Sequence, residues 1–145
     1  MLDTNVVSEG MRPRPDTRVL RWVDSQALGE LAISVVTLAE LRDGATTLAD
    51  AGRRNRFERW ISGIVIPRFD RRTFAVTLEV LTDFMALARR LGARGRPQSA
   101  PDLLIAATAR IHNLVLVTRN IRDFADTGIT VYNPWTDETL KMETP

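Results

Sequence analysis

Short apolar, β-branched runs alternate with helical segments along the 145-residue chain. Residues 31–36 and 114–118 are typical of buried strands, and residues 129–132 predict a last strand. A short edge strand or bulge is predicted at residues 64–69, because Pro67 interrupts that run. Strands that alternate with helices predict an α/β fold, a three-layer α/β/α sandwich with a mostly parallel central sheet.

Helical periodicity marks the segments between these runs. Helices are predicted at residues 18–27, 37–48, 52–64, 73–91 and from about residue 99 onward. The length fits a single domain. We expect that domain to cover residues 1–135 and a short frayed tail to follow at residues 136–145.

The composition fits a reducing compartment. The chain has no cysteine, which excludes disulfides, a cysteine nucleophile and a thiolate zinc site. No stretch approaches the roughly 18 apolar residues of a membrane span, and Asp3 interrupts the N-terminus before an export signal can form. Only Met1 and Leu2 precede Asp3, which leaves open a start further upstream. We expect a cytoplasmic protein without membrane association.

Four carboxylates stand where a strand or a loop runs into a helix, namely Asp3, Glu40, Asp102 and Asp123. In a parallel sheet such positions converge on one edge, where open α/β sheets bind ligands. Asp102 is in line with Ile105, Ala106 and Ala109, which form the buried stripe expected for its helix. We therefore predict that the four acids share one crevice.

Helix capping also explains each acid when it is taken alone. Thr37 and Glu40 have capping-box spacing, and the pairs Ser99–Asp102 and Asn120–Asp123 resemble it. Asp3 has the position of a cap for the helix that follows it. Capping is the commoner role for any single position, whereas four acids at one sheet edge indicate a shared site.

Crowded carboxylates repel one another, which raises their pKa values unless a cation neutralises them. A donor set made only of oxygens favours Mg²⁺ or Mn²⁺ over zinc. Such an ion activates water and binds phosphate oxygens, so phosphodiester hydrolysis is the predicted reaction. His112 is the only histidine and lies at the far end of the helix that begins near Asp102, so the count excludes a metal-free mechanism with two histidines.

The basic residues are weak evidence for nucleic-acid binding. The net charge is +2 and the pI is near 9.9, but Lys141 is the only lysine. Arginine barely titrates, so it lifts the pI more than it raises the field at neutral pH. Phosphate contact and a solvated helix face explain each local cluster equally well: Arg12 with Arg14, and the arginines within residues 53–59 and 89–96.

Five phrases together carry a family resemblance. They are LDTNV at residues 2–6 with Ser8-Glu9, AELR at 39–42 with Gly44, Asp102 ahead of IAA at 105–107, TRN at 118–120 with Asp123-Phe124, and NPW at 133–135. With these phrases the chain resembles PIN-domain endoribonucleases, in the subgroup of VapC- and FitB-like toxins of bacterial type II toxin-antitoxin systems. Any one phrase is weak, but all five in this order are specific.

The resemblance, which runs from Met1 to Trp135, implies a PIN-like fold and an acidic pocket that binds Mg²⁺ or Mn²⁺. Asp3 and Asp102 would be the principal metal ligands, with Glu40 and Asp123 completing the catalytic acids. Asn5, Thr118 and Asn120 would hold the carboxylates or water, although turn and cap roles explain them equally well. Proteins of this subgroup cleave RNA, are inhibited by a cognate antitoxin, usually form homodimers, and reach promoter DNA only through the antitoxin.

The chain departs from the PIN pattern at two positions. Asn120 stands where many PIN domains have an acid, so Asp123 must supply the fourth carboxylate, and the number of metal ions stays open. Asp43 stands where an apolar residue is usual, and we interpret it as a surface acid outside the site.

Three other classes of protein compete with this interpretation. A haloacid dehalogenase-type phosphatase needs an aspartate at position 5, where Asn5 stands, and a receiver domain needs a lysine at the end of a late strand, whereas Lys141 lies in the tail. The main alternative is a non-catalytic PIN-like module that binds RNA or a protein partner. The melting temperature of such a module would not change when Mg²⁺ or Mn²⁺ is added.

Overall fold

The structure, a computed structural model, describes residues 1–141. The seven helices of this range are α1 (Thr4–Val7), α2 (Thr17–Ser25), α3 (Val35–Thr46), α4 (Ala51–Trp60), α5 (Ile66–Arg68), α6 (Leu78–Ala93) and α7 (Ala100–Ile111). The five strands of the same range are β1 (Ile33–Ser34), β2 (Thr73–Phe74), β3 (Leu116–Val117), β4 (Val131–Asn133) and β5 (Glu138–Leu140). Short 3₁₀ turns lie at Glu9–Met11, Leu28–Glu30 and Ile121–Phe124.

The strands form two small sheets that the N-terminal residues join. β1 pairs in parallel with β2, β3 pairs in parallel with β4, and β5 is antiparallel to β4. Leu2 lies between the two sheets, because it forms a parallel bridge with Val117 and its N–H donates to the carbonyl of Ala32 at 2.7 Å. The resulting order is β2, β1, the N-terminal segment, β3, β4, β5. The predicted, mostly parallel arrangement is confirmed.

Consecutive strand residues face opposite sides of this sheet, as the β pleat requires. Met1 and Leu116 pack in an apolar cluster with α6 and α7. Leu2 and Val117 pack instead in a second cluster with α1, α2 and α3. Two helical layers therefore cover the two faces, which confirms the predicted three-layer α/β/α fold.

The prediction of a strand at residues 64–69 is wrong. The chain there is helical, with one π-helical turn at Ile61–Val65 that connects α4 to α5. Pro67 stands in α5 directly after this π-helical turn, where the regular α-helical hydrogen-bond pattern is already interrupted. The edge strand is β2 instead, so α6 begins at Leu78 rather than at the predicted residue 73.

The C-terminal segment also differs from the prediction. Glu138–Leu140, expected to be part of a frayed tail, forms β5 and pairs with β4. The remaining residues of the predicted tail, 142–145, lie outside the described residues. The boundary at residue 135 stays a prediction. Within residues 1–141, no helix combines the length and the apolar character that a membrane crossing needs.

Candidate active site

Asp3 lies at the junction between the N-terminal segment and α1. Its backbone N–H donates to the carbonyl of Val117 at 2.9 Å, so it belongs to the sheet. Its Oδ1 accepts the N–H of Thr4 at 2.7 Å, so it is also the N-cap of α1. Asp3 is only 6% exposed. The expected cap role is confirmed, and it leaves Oδ2 available for other partners.

Oδ2 of Asp3 is the centre of a closed hydrogen-bond network. It accepts the hydroxyl of Thr118 at 2.7 Å and the side-chain amide of Asn5 at 2.9 Å. The Asn5 amide also donates to Oγ1 of Thr118 at 3.0 Å, and the backbone N–H of Asn120 donates to the same oxygen at 3.1 Å. Asn5 and Thr118 therefore hold this carboxylate, whereas Asn120 takes part through its main chain.

Glu40 reaches the same region from the second turn of α3. Its side chain is half-buried and accepts the hydroxyl of Thr4. The predicted capping box at Thr37 and Glu40 is wrong, because α3 begins earlier, with Ser34 as its N-cap. Thr37 is buried inside the helix, and within the described range its hydroxyl has no hydrogen-bond partner.

Asp102 comes from the first turn of α7. Ser99 caps this helix by accepting the N–H of Asp102 at 3.2 Å, and its hydroxyl donates to the Asp102 carboxylate. Ile105, Ala106 and Ala109 are fully buried, so the predicted alignment of Asp102 with the buried stripe is confirmed. The capping relation of Ser99 and Asp102 is confirmed as well.

Electrostatics connect these three acids. Burial, together with the charge of Asp102, raises the pKa of Asp3 above its ordinary value of 3.8, although hydrogen bonds from Thr118, Thr4 and Asn5 oppose the shift. Burial also raises the pKa of Glu40 above 4.5, and the charges of Asp3 and Asp102 add to that rise. Three carboxylates from separate parts of the chain, Asp3, Glu40 and Asp102, therefore form an acid cluster whose members lie within electrostatic reach of one another.

Each of the three carboxylates is held by a neighbouring hydroxyl group, from Thr118, Thr4 and Ser99 respectively. Within residues 1–141, no three acidic or imidazole side chains approach closely enough to surround one ion together. The donor set still has the chemistry of a hard-cation site, because it consists of oxygens and carries excess negative charge. Thr4 was not predicted to act on an acid, because only folding brings it to Glu40.

Asp123 is separate from this group. It lies on the 3₁₀ turn Ile121–Phe124 with an exposed side chain, and its N–H donates to the carbonyl of Asn120 at 3.1 Å. It borders a depression that it shares with Arg119, Asn120 and Glu138. The predicted cap by Asn120 is wrong, because its side chain makes no capping bond to the turn.

The other candidate residues lie around the pocket or far from it. Arg12 and Arg14 are exposed in the loop between α1 and α2, and Arg12 contacts the buried carboxylate of Glu9 at 3.4 Å. Glu9 also accepts the N–H of Asp16 at 2.7 Å, so it holds this loop in place. His112 ends α7 and stacks on Phe74 with ring centroids 4.3 Å apart, which confirms its role as a helix-ending residue.

Comparison with known proteins places this chain in one family. The PIN-domain family model matches residues 1–129. The chain therefore belongs to the PIN-domain family, as the five phrases of the sequence predicted.

Individual relatives are similar over nearly the full length. Toxin FitB of Neisseria gonorrhoeae is 34% identical over 137 residues, which cover 94% of this chain and 99% of FitB. VapC ribonuclease Y4jK of Sinorhizobium fredii is 34% identical over 135 residues, which cover 93% of this chain and 96% of the relative.

Solved structures agree with this assignment. The crystal structure of FitAcB from Neisseria gonorrhoeae matches with a TM-score of 0.86 at 34% identity, over 92% of this chain and 96% of that one. The structure of FitAB bound to an IR36 DNA fragment matches with a TM-score of 0.85 at 33% identity, over 92% and 94% of the two chains.

Proposed function

We propose that this protein is an endoribonuclease that hydrolyses RNA phosphodiester bonds with the help of Mg²⁺ or Mn²⁺. The observation that carries the proposal is the convergence of Asp3, Glu40 and Asp102, where burial and mutual repulsion raise the pKa values of Asp3 and Glu40. Such a charge concentration is costly unless a cation offsets it. The ribonuclease name of the Sinorhizobium fredii relative supports the same reaction.

We assign the metal-binding role to Asp3 and Asp102, with Glu40 and Asp123 as the further catalytic acids. When bound, the ion supplies charge neutralisation and a more acidic water for attack on phosphorus. Thr118 and Asn5 keep the Asp3 carboxylate in one orientation through their hydrogen bonds to Oδ2. Glu40 is half-buried and hydrogen-bonded to Thr4, which suits it to accept a proton from attacking water. Arg12 and Arg14 are the candidate contacts to RNA phosphates.

The test is cleavage of single-stranded RNA by the purified protein, free of any antitoxin, in Mg²⁺, in Mn²⁺ and in EDTA. We expect cleavage with either ion and none in EDTA. Cleavage that persists in EDTA would contradict the carboxylate-metal proposal. RNA binding without cleavage under any of these conditions would favour the non-catalytic binding module.

The biological role that we propose is that of a cytoplasmic toxin controlled by a cognate antitoxin protein. The support is the similarity to Toxin FitB and to the FitAB complex with DNA. The antitoxin is expected to cover the acidic pocket and to provide the only contact with DNA. Expression of the chain alone should stop bacterial growth, and Asp102→Asn should abolish that effect at equal protein levels.

An apolar stripe on α6 supports the further proposal that the protein is a homodimer. Leu78, Leu81 and Met85 lie on one face of the helix and are 76%, 42% and 58% exposed. Adjacent exposed apolar side chains of this size are typical of a surface that another protein covers. Light scattering should give a dimer mass for the wild-type protein and a monomer mass for Leu78→Asp.

A further inference from the structure

Arg119 directly follows Thr118, and side chains hold its main chain from both sides. Its N–H donates to Oδ1 of Asn5 at 3.2 Å, and its carbonyl accepts the amide of Asn133 at 3.2 Å. Asn133 also accepts the N–H of Trp135 at 2.8 Å. The backbone of Arg119 is thus fixed between the start of α1 and the end of β4, next to the hydroxyl that binds Asp3.

The side chain of Arg119 lies over a rigid aromatic surface. Its guanidinium carbon is 5.6 Å from the centroid of the Trp135 ring, within the range of a cation–π interaction. Trp135 is only 6% exposed, so its ring cannot move freely, whereas Arg119 itself is exposed. The contact restricts the guanidinium and reduces the entropy that the side chain would lose on binding a ligand.

No acid neutralises the charge of Arg119 in the part of the chain that the structure describes. Within residues 1–141 it forms no salt bridge. Asp16 is close enough to feel its charge: hydrogen bonds from Arg18 lower the pKa of Asp16 to about 2, and Arg119 contributes a small part of that shift. Arg18 already holds the Asp16 carboxylate at 2.7 Å, and Arg119 is exposed to solvent.

We propose that Arg119 binds a phosphate of the RNA backbone at the edge of the acidic pocket. The inference rests on the proposed ribonuclease function and identifies a binding residue that the motif alone did not assign. A planar guanidinium donates two parallel hydrogen bonds to a phosphate. The negative charges of Asp3, Glu40 and Asp102 repel RNA, and a fixed cation near them offsets that repulsion.

The experiment measures RNA binding separately from cleavage. Affinity for a single-stranded RNA is determined between about 50 and 200 mM salt in the Asp102→Asn background, in EDTA, so that the RNA stays intact. Arg119→Ala, Arg119→Lys and a control, Arg71→Ala, are added to this background. Arg71 is an exposed arginine in the turn before β2 and belongs to none of the arginine clusters of the sequence. Thermal melting of each variant checks that the fold is kept.

We expect Arg119→Ala to weaken binding about tenfold and to reduce the slope of log affinity against log salt by about 0.7, the value for one phosphate contact on a single strand. Arg119→Lys keeps the charge, so it should keep the slope while losing part of the affinity. Arg71→Ala should match the parent. An affinity and a slope for Arg119→Ala equal to those of the parent would overturn the inference.

The proposed function is tested in parallel with Asp102 intact. If the wild-type protein cleaves RNA and Arg119→Ala cleaves it with the same KM, only the role of Arg119 is wrong. If the wild-type protein cleaves no RNA, the ribonuclease proposal fails, and the binding data then decide separately whether Arg119 contacts RNA.

Discussion

The hydroxyl of Thr118 donates a 2.7 Å hydrogen bond to Oδ2 of Asp3, across 115 positions of the chain. Both residues are buried. The hydroxyl oxygen also accepts from the Asn5 amide and from the N–H of Asn120, so its one donor and two acceptor sites are all used. Thr118 therefore fixes one orientation of the Asp3 carboxylate.

Removal of this hydroxyl should impair activity more than it impairs folding. Thr118→Val keeps the shape of the side chain but deletes the bond to Asp3, so we expect cleavage to fall about 10–100-fold and the free energy of unfolding to fall by about 1–3 kcal/mol. Thr118→Ser keeps the hydroxyl and should retain most of the activity. Cleavage rates and urea unfolding of the three proteins test this expectation, and equal rates for the Val and Ser variants would contradict it.

The raised pKa values predict an unusual pH dependence of stability without metal. Because the folded protein raises the pKa of Asp3 and of Glu40, it binds protons more tightly than the unfolded chain does. These two groups therefore reduce stability as pH rises from their ordinary values near 4 through the raised values. In EDTA, Asp3→Asn should melt at the same temperature as the wild type at pH 4 and several degrees higher at pH 7.

Asp43→Asn is the matched control, because Asp43 is an exposed acid of α3, the helix that carries Glu40. Its melting temperature should follow that of the wild type at both pH values. A lower melting temperature for Asp3→Asn at pH 7 would mean that the capping bond to Thr4 outweighs the relief of charge repulsion at this position.

A bound divalent metal ion should offset the loss of stability that the crowded carboxylates cause. A ligand that binds only the folded state stabilises it by about 2.7 kcal/mol at a concentration 100 times its Kd. We expect Mg²⁺ and Mn²⁺ to raise the melting temperature of the wild type and of Asp43→Asn, but to have little effect on Asp102→Asn. If neither ion changes the melting temperature of the wild type, the non-catalytic module is favoured.

Asp123 should contribute less to cleavage than Asp102 does. Its side chain is exposed on a 3₁₀ turn, and the acids that raise the pKa of Glu40 are Asp3 and Asp102. We expect Asp123→Asn to slow cleavage about tenfold at most, while Asp102→Asn slows it by more than about 100-fold. Equal losses in single-turnover assays would instead make Asp123 a full member of the catalytic set.

Much of the fold followed from local signals in the sequence. The β-branched runs that became β1 and β3 are too short and too apolar for surface helices, and their alternation with helices predicted the parallel sheet. The same reasoning wrongly predicted a strand at residues 64–69. A short apolar run with one proline fits an edge strand and a helix start equally well. β5 was missed because Leu140 is its only apolar residue, so its three positions carry no apolar pattern.

The acids of the site were predictable, and the family resemblance implied the role of Thr118, but the partner of Glu40 was missed. Asp3, Glu40 and Asp102 stand in local phrases that mark strand-to-helix junctions, whereas the hydroxyl group of Thr4 reaches Glu40 only after folding. The capping pattern wrongly placed the start of α3 at Thr37, because the same spacing fits several helix starts. The helix begins at Val35, a position that depends on where β1 ends. The boundary at residue 135 and the roles of the individual acids stay predictions.

The most direct test of the central claim is RNA cleavage in ¹⁸O-labelled water by the wild type, Asp102→Asn and Asp43→Asn, each with Mn²⁺ and with EDTA. We expect the wild type and Asp43→Asn to cleave only with metal, and to place one solvent oxygen in the product phosphate. Asp102→Asn should be inactive. A 2′,3′-cyclic phosphate product, or activity that survives both EDTA and Asp102→Asn, would contradict hydrolysis by the carboxylate pocket.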